Sequence, residues 1–208
     1  PDAVAFAEAC FDGVDDAFLS TVCPASPPNA DGKTLHLCIH VSALPADRRK
    51  FALSRLNALL ERLDPHYRWF CVWEFCPHQD GELRDLLEKV WGHKVRVKRF
   101  LDVMQNGIEV AADDAAIVSR FHAHLIFARA GLMGLYFSLD GAWGDNKYYM
   151  IKHSSLVALG TGWAPAEGVD LGNAAEVLQR NHSRNFGSSA QIRKKETFSR
   201  IENLIDGL

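Results

Sequence analysis

A chain of 208 residues with 48% hydrophobic content is long enough to bury a substantial core, and one domain of ordinary or slightly large size is expected. Its formal charge of −3 supplies no overall attraction for nucleic acid, so binding a polyanion must rest on local basic clusters and a bound cation. No apolar run approaches the roughly 18 residues of a spanning helix and no signal peptide is visible, which excludes a membrane partner from the expectation.

The first position is Pro1 rather than Met, which leaves room for targeting signals or further domains outside this stretch. Residues 1–33 are expected as an N-terminal helical arm ending in the turn-rich linker "CPASPPNADGK" (23–33). Five cysteines, at 10, 23, 38, 71 and 76, are odd in number and form no CxxC pair, which points to reduced thiols in a cytoplasmic compartment. Cys71, Cys76 and His78 have a zinc-like spacing, but no fourth ligand is evident.

"TLHLCIHVS" (34–42) alternates strictly and is expected as a half-buried strand, with Leu35, Leu37, Ile39 and Val41 on one face and His36, Cys38 and His40 on the other. "PADRRKFALSRLNALLERL" (45–63) opens on a proline permissible in a first turn and repeats Leu53, Leu56, Leu60 and Leu63 at helical spacing. "YRWFCVWEF" (67–75) has strand composition, and "ELRDLLEKVW" (82–91) is helical. Asn106-Gly107 suggests a hairpin, whereas "ADDAAIVSRF" suggests a helix entering the next strand. "SRFHAHLIFARAG" (119–131) is expected as that strand, and "DNKYYMIKHSSLVALG" (145–160) as a helix capped by Asp145 and Gly160. Strands and helices in runs point to an α+β fold, a central antiparallel sheet with helices packed on it.

Chemistry concentrates in three of these elements. On a strand, His122 and His124 place two imidazoles side by side, within reach of one divalent cation. Glu74, an acid within an apolar strand, is costly to bury without a partner and suits the third ligand. Two nitrogens and a carboxylate with open positions would hold Mn2+ or Mg2+, leaning toward Mn2+, and would polarise a phosphate oxygen. Tyr149 and Lys152, three apart on a helix, share a face, so a phenol nucleophile lies beside a charge-stabilising ammonium; Tyr148 is its rival. Two basic clusters lie apart from these: Lys94, Arg96, Lys98 and Arg99 within "HKVRVKRF", and Arg184, Arg193, Lys194 and Lys195 toward the C-terminal end.

The order of acidic strand, "FHAHLIF" and "YMIK" resembles the HUH endonucleases, in particular the rolling-circle replication initiator (Rep) proteins of plasmids and single-stranded DNA phages. The resemblance implies an RRM-like nuclease core over residues 34–165, with an insertion at about 78–118 and a basic helical extension over 166–208. It implies nicking of single-stranded DNA at a replication origin, with Tyr149 attacking the phosphodiester, Lys152 offsetting charge, and His122, His124 and Glu74 holding the metal. Both basic clusters, with Trp69 or Trp73 as stacking platforms, would guide the strand, and replicon-encoded or host replication proteins would be partners. Ala123 is smaller than the usual middle residue, and the interval from Glu74 to His122 is longer than the family's hairpin. Two other classes stay open: a single-stranded nucleic-acid-binding module that does not cut, and a metal-dependent phosphoesterase that uses water.

Overall fold

The computed structural model describes residues 23, 25–26, 30–42, 44–139 and 148–180, with Phe186, Glu196 and Ser199. Its central feature is a six-stranded sheet built from β2 (Thr34–Cys38), β3 (Trp69–Trp73), β4 (Val95–Lys98), β6 (Ala115–Val118), β7 (Met133–Tyr136) and β8 (Ala164–Pro165). The spatial order is β4-β3-β2-β6-β7-β8 and every neighbouring pair is parallel. A mixed helix-and-sheet fold with helices packed on a central sheet is therefore present, but its strands are parallel, not antiparallel.

Parallel neighbours need long crossovers, and the helices supply them. Helix α1 (Ala46–Leu63) links β2 to β3, α2 (Pro77–Trp91) links β3 to β4, α4 (Phe121–Arg129) links β6 to β7, and α5 (Tyr148–Ala158) lies between β7 and β8. The short α3 (Phe100–Asn106) follows β4, α6 (Ala174–Arg180) follows β8, and a separate parallel pair joins β1 (Ala25–Ser26) to β5 (Val110–Ala111). From β2 the chain steps outward to β3 and β4, then returns to β6 on the other side and steps outward to β8. This is the order of doubly wound α/β sheets.

Helices on both sides explain why β2 is buried throughout instead of on one face. Leu35, Leu37, Phe70, Val72, Ile117 and Leu135 pack against Leu56, Leu60, Leu83 and Leu178 from α1, α2 and α6. Cys38, Trp73, Val118 and Tyr136 pack against Leu125, Phe127 and Leu156 from α4 and α5. The alternation in residues 34–41 thus sorts side chains between two cores.

Two segment types differ from expectation. "FHAHLIFAR" is helix α4, and the strand is the preceding "AAIV" of β6. In that run strand parity and helical spacing both group apolar residues; a crossover between parallel β6 and β7 decides for helix, with Gly131 at φ 83° closing it. Residues 78–118, expected as an insertion, supply most of α2 together with β4 and β6, and so belong to the sheet. The expected arm over 1–22 and most of the extension beyond residue 180 lie outside the described residues, while α6 packs on α1 and β7.

Gly134 shows how closely this packing is set. A Cβ built there would lie 2.3 Å from Cε2 of Trp163, whose indole covers that point of β7. Gly134→Ala is expected to cost about 2 kcal/mol through forced displacement of a large ring, readable as a lower urea midpoint with an unchanged slope.

Candidate functional site

Between β2 and β6 the direction of chain winding reverses, and residues just beyond the C-terminal ends of these strands line a cavity of about 310 Å3. His40 follows β2; Ser119 and Arg120 follow β6 and lead directly into α4. The His40 backbone N–H donates to Ser119 Oγ at 2.7 Å, which ties the two strand ends together. Phe121, His122 and Ala123, the first turn of α4, also line the cavity, and no side chain caps that turn. The helix therefore directs its partial positive charge at the space in front of it.

Arg120 is the fixed cation of the site. Its guanidinium pairs with Asp80 of α2 and donates to Gln79 Oε1 at 3.3 Å, while Asp80 also accepts the Cys76 backbone N–H at 2.7 Å. Burial opposes the charge on Arg120, but the Asp80 hydrogen bond and carboxylate outweigh it, so its pKa is raised. Its Nε–H has no hydrogen-bond partner among the described residues. Phe75, Ile126, Leu139, Tyr149 and Lys152 complete the wall.

Three expected site residues meet here. Tyr149 and Lys152 share a face of α5, and His122 faces the same cavity from α4. Partial burial and then the Lys152 charge lower the His122 pKa, leaving it neutral near pH 7. The expected metal triad does not form. On a helix, residues two apart point in nearly opposite directions: His122 is exposed, whereas His124 is fully buried. Glu74 is buried too, and its carboxylate accepts from Arg84 Nη1 at 2.7 Å. Among the described residues no three His, Cys, Asp or Glu side chains converge as metal ligands. Among the described residues, His122, His124 and Glu74 thus do not gather round one point as the expected Mn2+ or Mg2+ ligands.

His124 belongs instead to a buried chain of hydrogen bonds behind the cavity. His153 Nε2 lies 3.0 Å from the Ser119 carbonyl, which only accepts, so that nitrogen carries the proton. With His153 neutral, its Nδ1 accepts from His124 Nδ1–H at 2.9 Å, and His124 Nε2 accepts from the Thr161 hydroxyl at 3.1 Å. Every ring nitrogen has one partner in one tautomer. Burial, then the neighbouring imidazole, lowers the His124 pKa well below the usual histidine range; burial lowers that of His153 to about 4. Trp163 stacks on His124 at 4.3 Å and Tyr136 on His153 at 4.8 Å, so the two rings also fill the core.

The basic segment around β4 is mostly engaged in structure. Lys94 pairs with Asp64, the Arg96 guanidinium lies 3.8 Å from the Trp69 ring centroid, and Lys98 pairs with Glu109 at 2.8 Å. Arg99 is exposed as the N-cap of α3, and because the strands of this sheet are parallel it leaves the edge strand β4 at the same C-terminal end of the strands as the cavity. Arg184, Arg193, Lys194 and Lys195, and the side chain of Tyr148, lie outside the described residues.

Trp73 is buried and unsuited to stacking bases. Its Nε1–H donates to His36 Nδ1 at 2.9 Å, and His36 Nε2–H donates to Asp114 Oδ2 at 3.0 Å. Asp114 also accepts the Thr34 and Ala111 backbone N–H groups, so this line of polar groups is satisfied internally. The cavity residues that sequence reasoning passed over are Arg120 and Ser119, with Asp80 behind them. Their signal was a Ser-Arg pair closing the apolar run "AAIV" immediately before a helix.

Comparison with family models, with curated proteins and with solved structures finds no match for this chain.

Proposed function

We propose that the cavity binds the phosphate of a nucleotide or of a single-stranded nucleic acid, as a module that need not cut. The observation that carries this reading is the convergence of Arg120, Lys152, His122 and the first turn of α4 on one cavity at the sheet's reversal point. Phe75, Phe121 and Tyr149 add ring faces beside these donors, suited to a ligand that is anionic at one end and planar at the other. Arg99, exposed at the same C-terminal end of the strands but beyond β3, would offer a further cation to a bound strand. No described helix is long and apolar enough to cross a membrane, and the described cysteines, which form no disulfide, fit a cytoplasmic setting.

Lys152→Gln is expected to weaken inorganic phosphate and mononucleotide binding about tenfold by removing a charge-assisted hydrogen bond. Titration calorimetry at fixed ionic strength checks this, with the thermal midpoint unchanged within error. Equal affinity in the variant and the parent would remove Lys152 from the site.

A second reading retains covalent nicking, because Tyr149 lines the same cavity as the cations. Tyr149 Oη would bond to phosphorus as the P–O3′ bond breaks, leaving a 5′-phosphotyrosine and a 3′-OH. Arg120 and Lys152 would offset the phosphoryl charge. Incubation with single-stranded DNA and Mn2+, followed by denaturing electrophoresis, separates the readings. A stable protein–DNA band that disappears in Tyr149→Phe supports nicking; binding that survives this change with no such band supports the module.

A further inference from the structure

A second cavity, of about 280 Å3, opens beside the first and is lined by Leu44, Arg48, Phe51, Phe137, Ser138 and Glu167 among others. Leu139 lines both. It is held at φ 46°, the left-handed region that a γ-branched residue seldom adopts, so the backbone leaving β7 is bent at the point that divides the two spaces. Glu167 has one oxygen engaged and one shielded from water without a donor among the described residues. Oε1 accepts both the Ser138 N–H at 2.8 Å and its hydroxyl at 3.0 Å, whereas Oε2 is buried and makes no hydrogen bond to the described residues. A carboxylate oxygen withdrawn from water and left without a donor is an acceptor awaiting one. Phe51, on α1, contributes an aromatic face to the same cavity while remaining 56% exposed.

We infer that the second cavity is the nucleoside subsite of the ligand whose phosphate occupies the first. The ligand would cross Leu139, turn the Glu167 carboxylate so that Oε2 accepts a ribose hydroxyl or a base amino group, and lay its base against Phe51. This inference rests on the phosphate reading and narrows it to nucleoside phosphates over simple phosphoesters.

The test compares inorganic phosphate with the four nucleoside 5′-monophosphates by calorimetry on the whole chain. At least one monophosphate is expected to bind tenfold or more tightly than phosphate. Glu167→Gln keeps an oxygen for Ser138 but turns the second position into a donor, and it should abolish that gain while leaving phosphate affinity unchanged. Phe51→Ala, on an exposed helix surface, should reduce the gain without touching the fold, and serves if the Glu167 variant does not fold. Monophosphates binding no better than phosphate, or a gain that survives both substitutions, would overturn the subsite and leave the phosphate reading standing. Absence of binding by phosphate and by all four nucleotides would overturn both.

Discussion

Arg120→Met is expected to lower stability by about 3 kcal/mol and to abolish phosphate binding. The stability loss arises from what remains: the side chain of Asp80 is only 3% exposed and would keep a single backbone N–H as partner to a full negative charge. Removing the charge as well should recover most of the loss, since an amide at that position can still accept from Cys76. Urea denaturation of Arg120→Met, Asp80→Asn and the double variant measures the coupling. Phosphate binding should stay absent in the double variant even where stability returns. A single Arg120 variant less than about 1 kcal/mol below the parent would show that the pair does not hold the strand end to α2.

The second large effect is acid sensitivity. His124 and His153 are neutral in the folded protein and have pKa values below the unfolded histidine value, His153 at about 4. Below about pH 6.5 the unfolded chain takes up protons that the folded chain refuses, so stability falls as pH falls. The contribution is complete above about pH 6.5 and is lost progressively down to the folded-state values. Each histidine adds a slope of up to about 1.4 kcal/mol per pH unit, which for His153 alone amounts to roughly 3 kcal/mol between pH 6.5 and 4. Urea midpoints measured from pH 7.5 to 4.5 should show this slope, and His153→Gln should flatten it by about one proton. A stability curve flat over that range would mean that the imidazoles are not locked as neutral donors and acceptors.

Much of the fold was legible, but strand direction was not. Helix α1 follows from leucines at helical spacing, α5 from the Gly160 terminator at φ 101°, with Asp145, its expected N-cap, outside the described residues, and the sorting of Leu35 and Leu37 from Cys38 from simple alternation. Alternation, however, says only that two faces differ; it does not say whether the second face meets water or another layer of helices. His36 and Cys38 look like a solvent face in sequence, and they are interior because α4 crosses above them. The histidine pair failed for a related reason. In nine residues, "FHAHLIFAR" satisfies both periods, and choosing the strand period put His122 and His124 together when the helix sends one to the cavity and the other to the core. Tyr149 and Lys152 were placed on one face because that spacing was assigned the correct period. For Arg120 the local signal is only the Ser-Arg pair closing "AAIV", since its partner Asp80 lies forty positions earlier and no local pattern connects them.

The central pairing of β2 with β6 joins Leu35 to Ala115 and Cys38 to Val118. No hairpin can nucleate that pairing, and the entropy of closing so long a stretch of chain is spent before the first of its bonds forms. A growing polypeptide must therefore carry β2, β3 and their apolar helices without the middle of the sheet until β6 leaves the ribosome. During that interval the flank of β2 stays open to other strands, so the cell's exposure to misassembly is set by translation speed through this span.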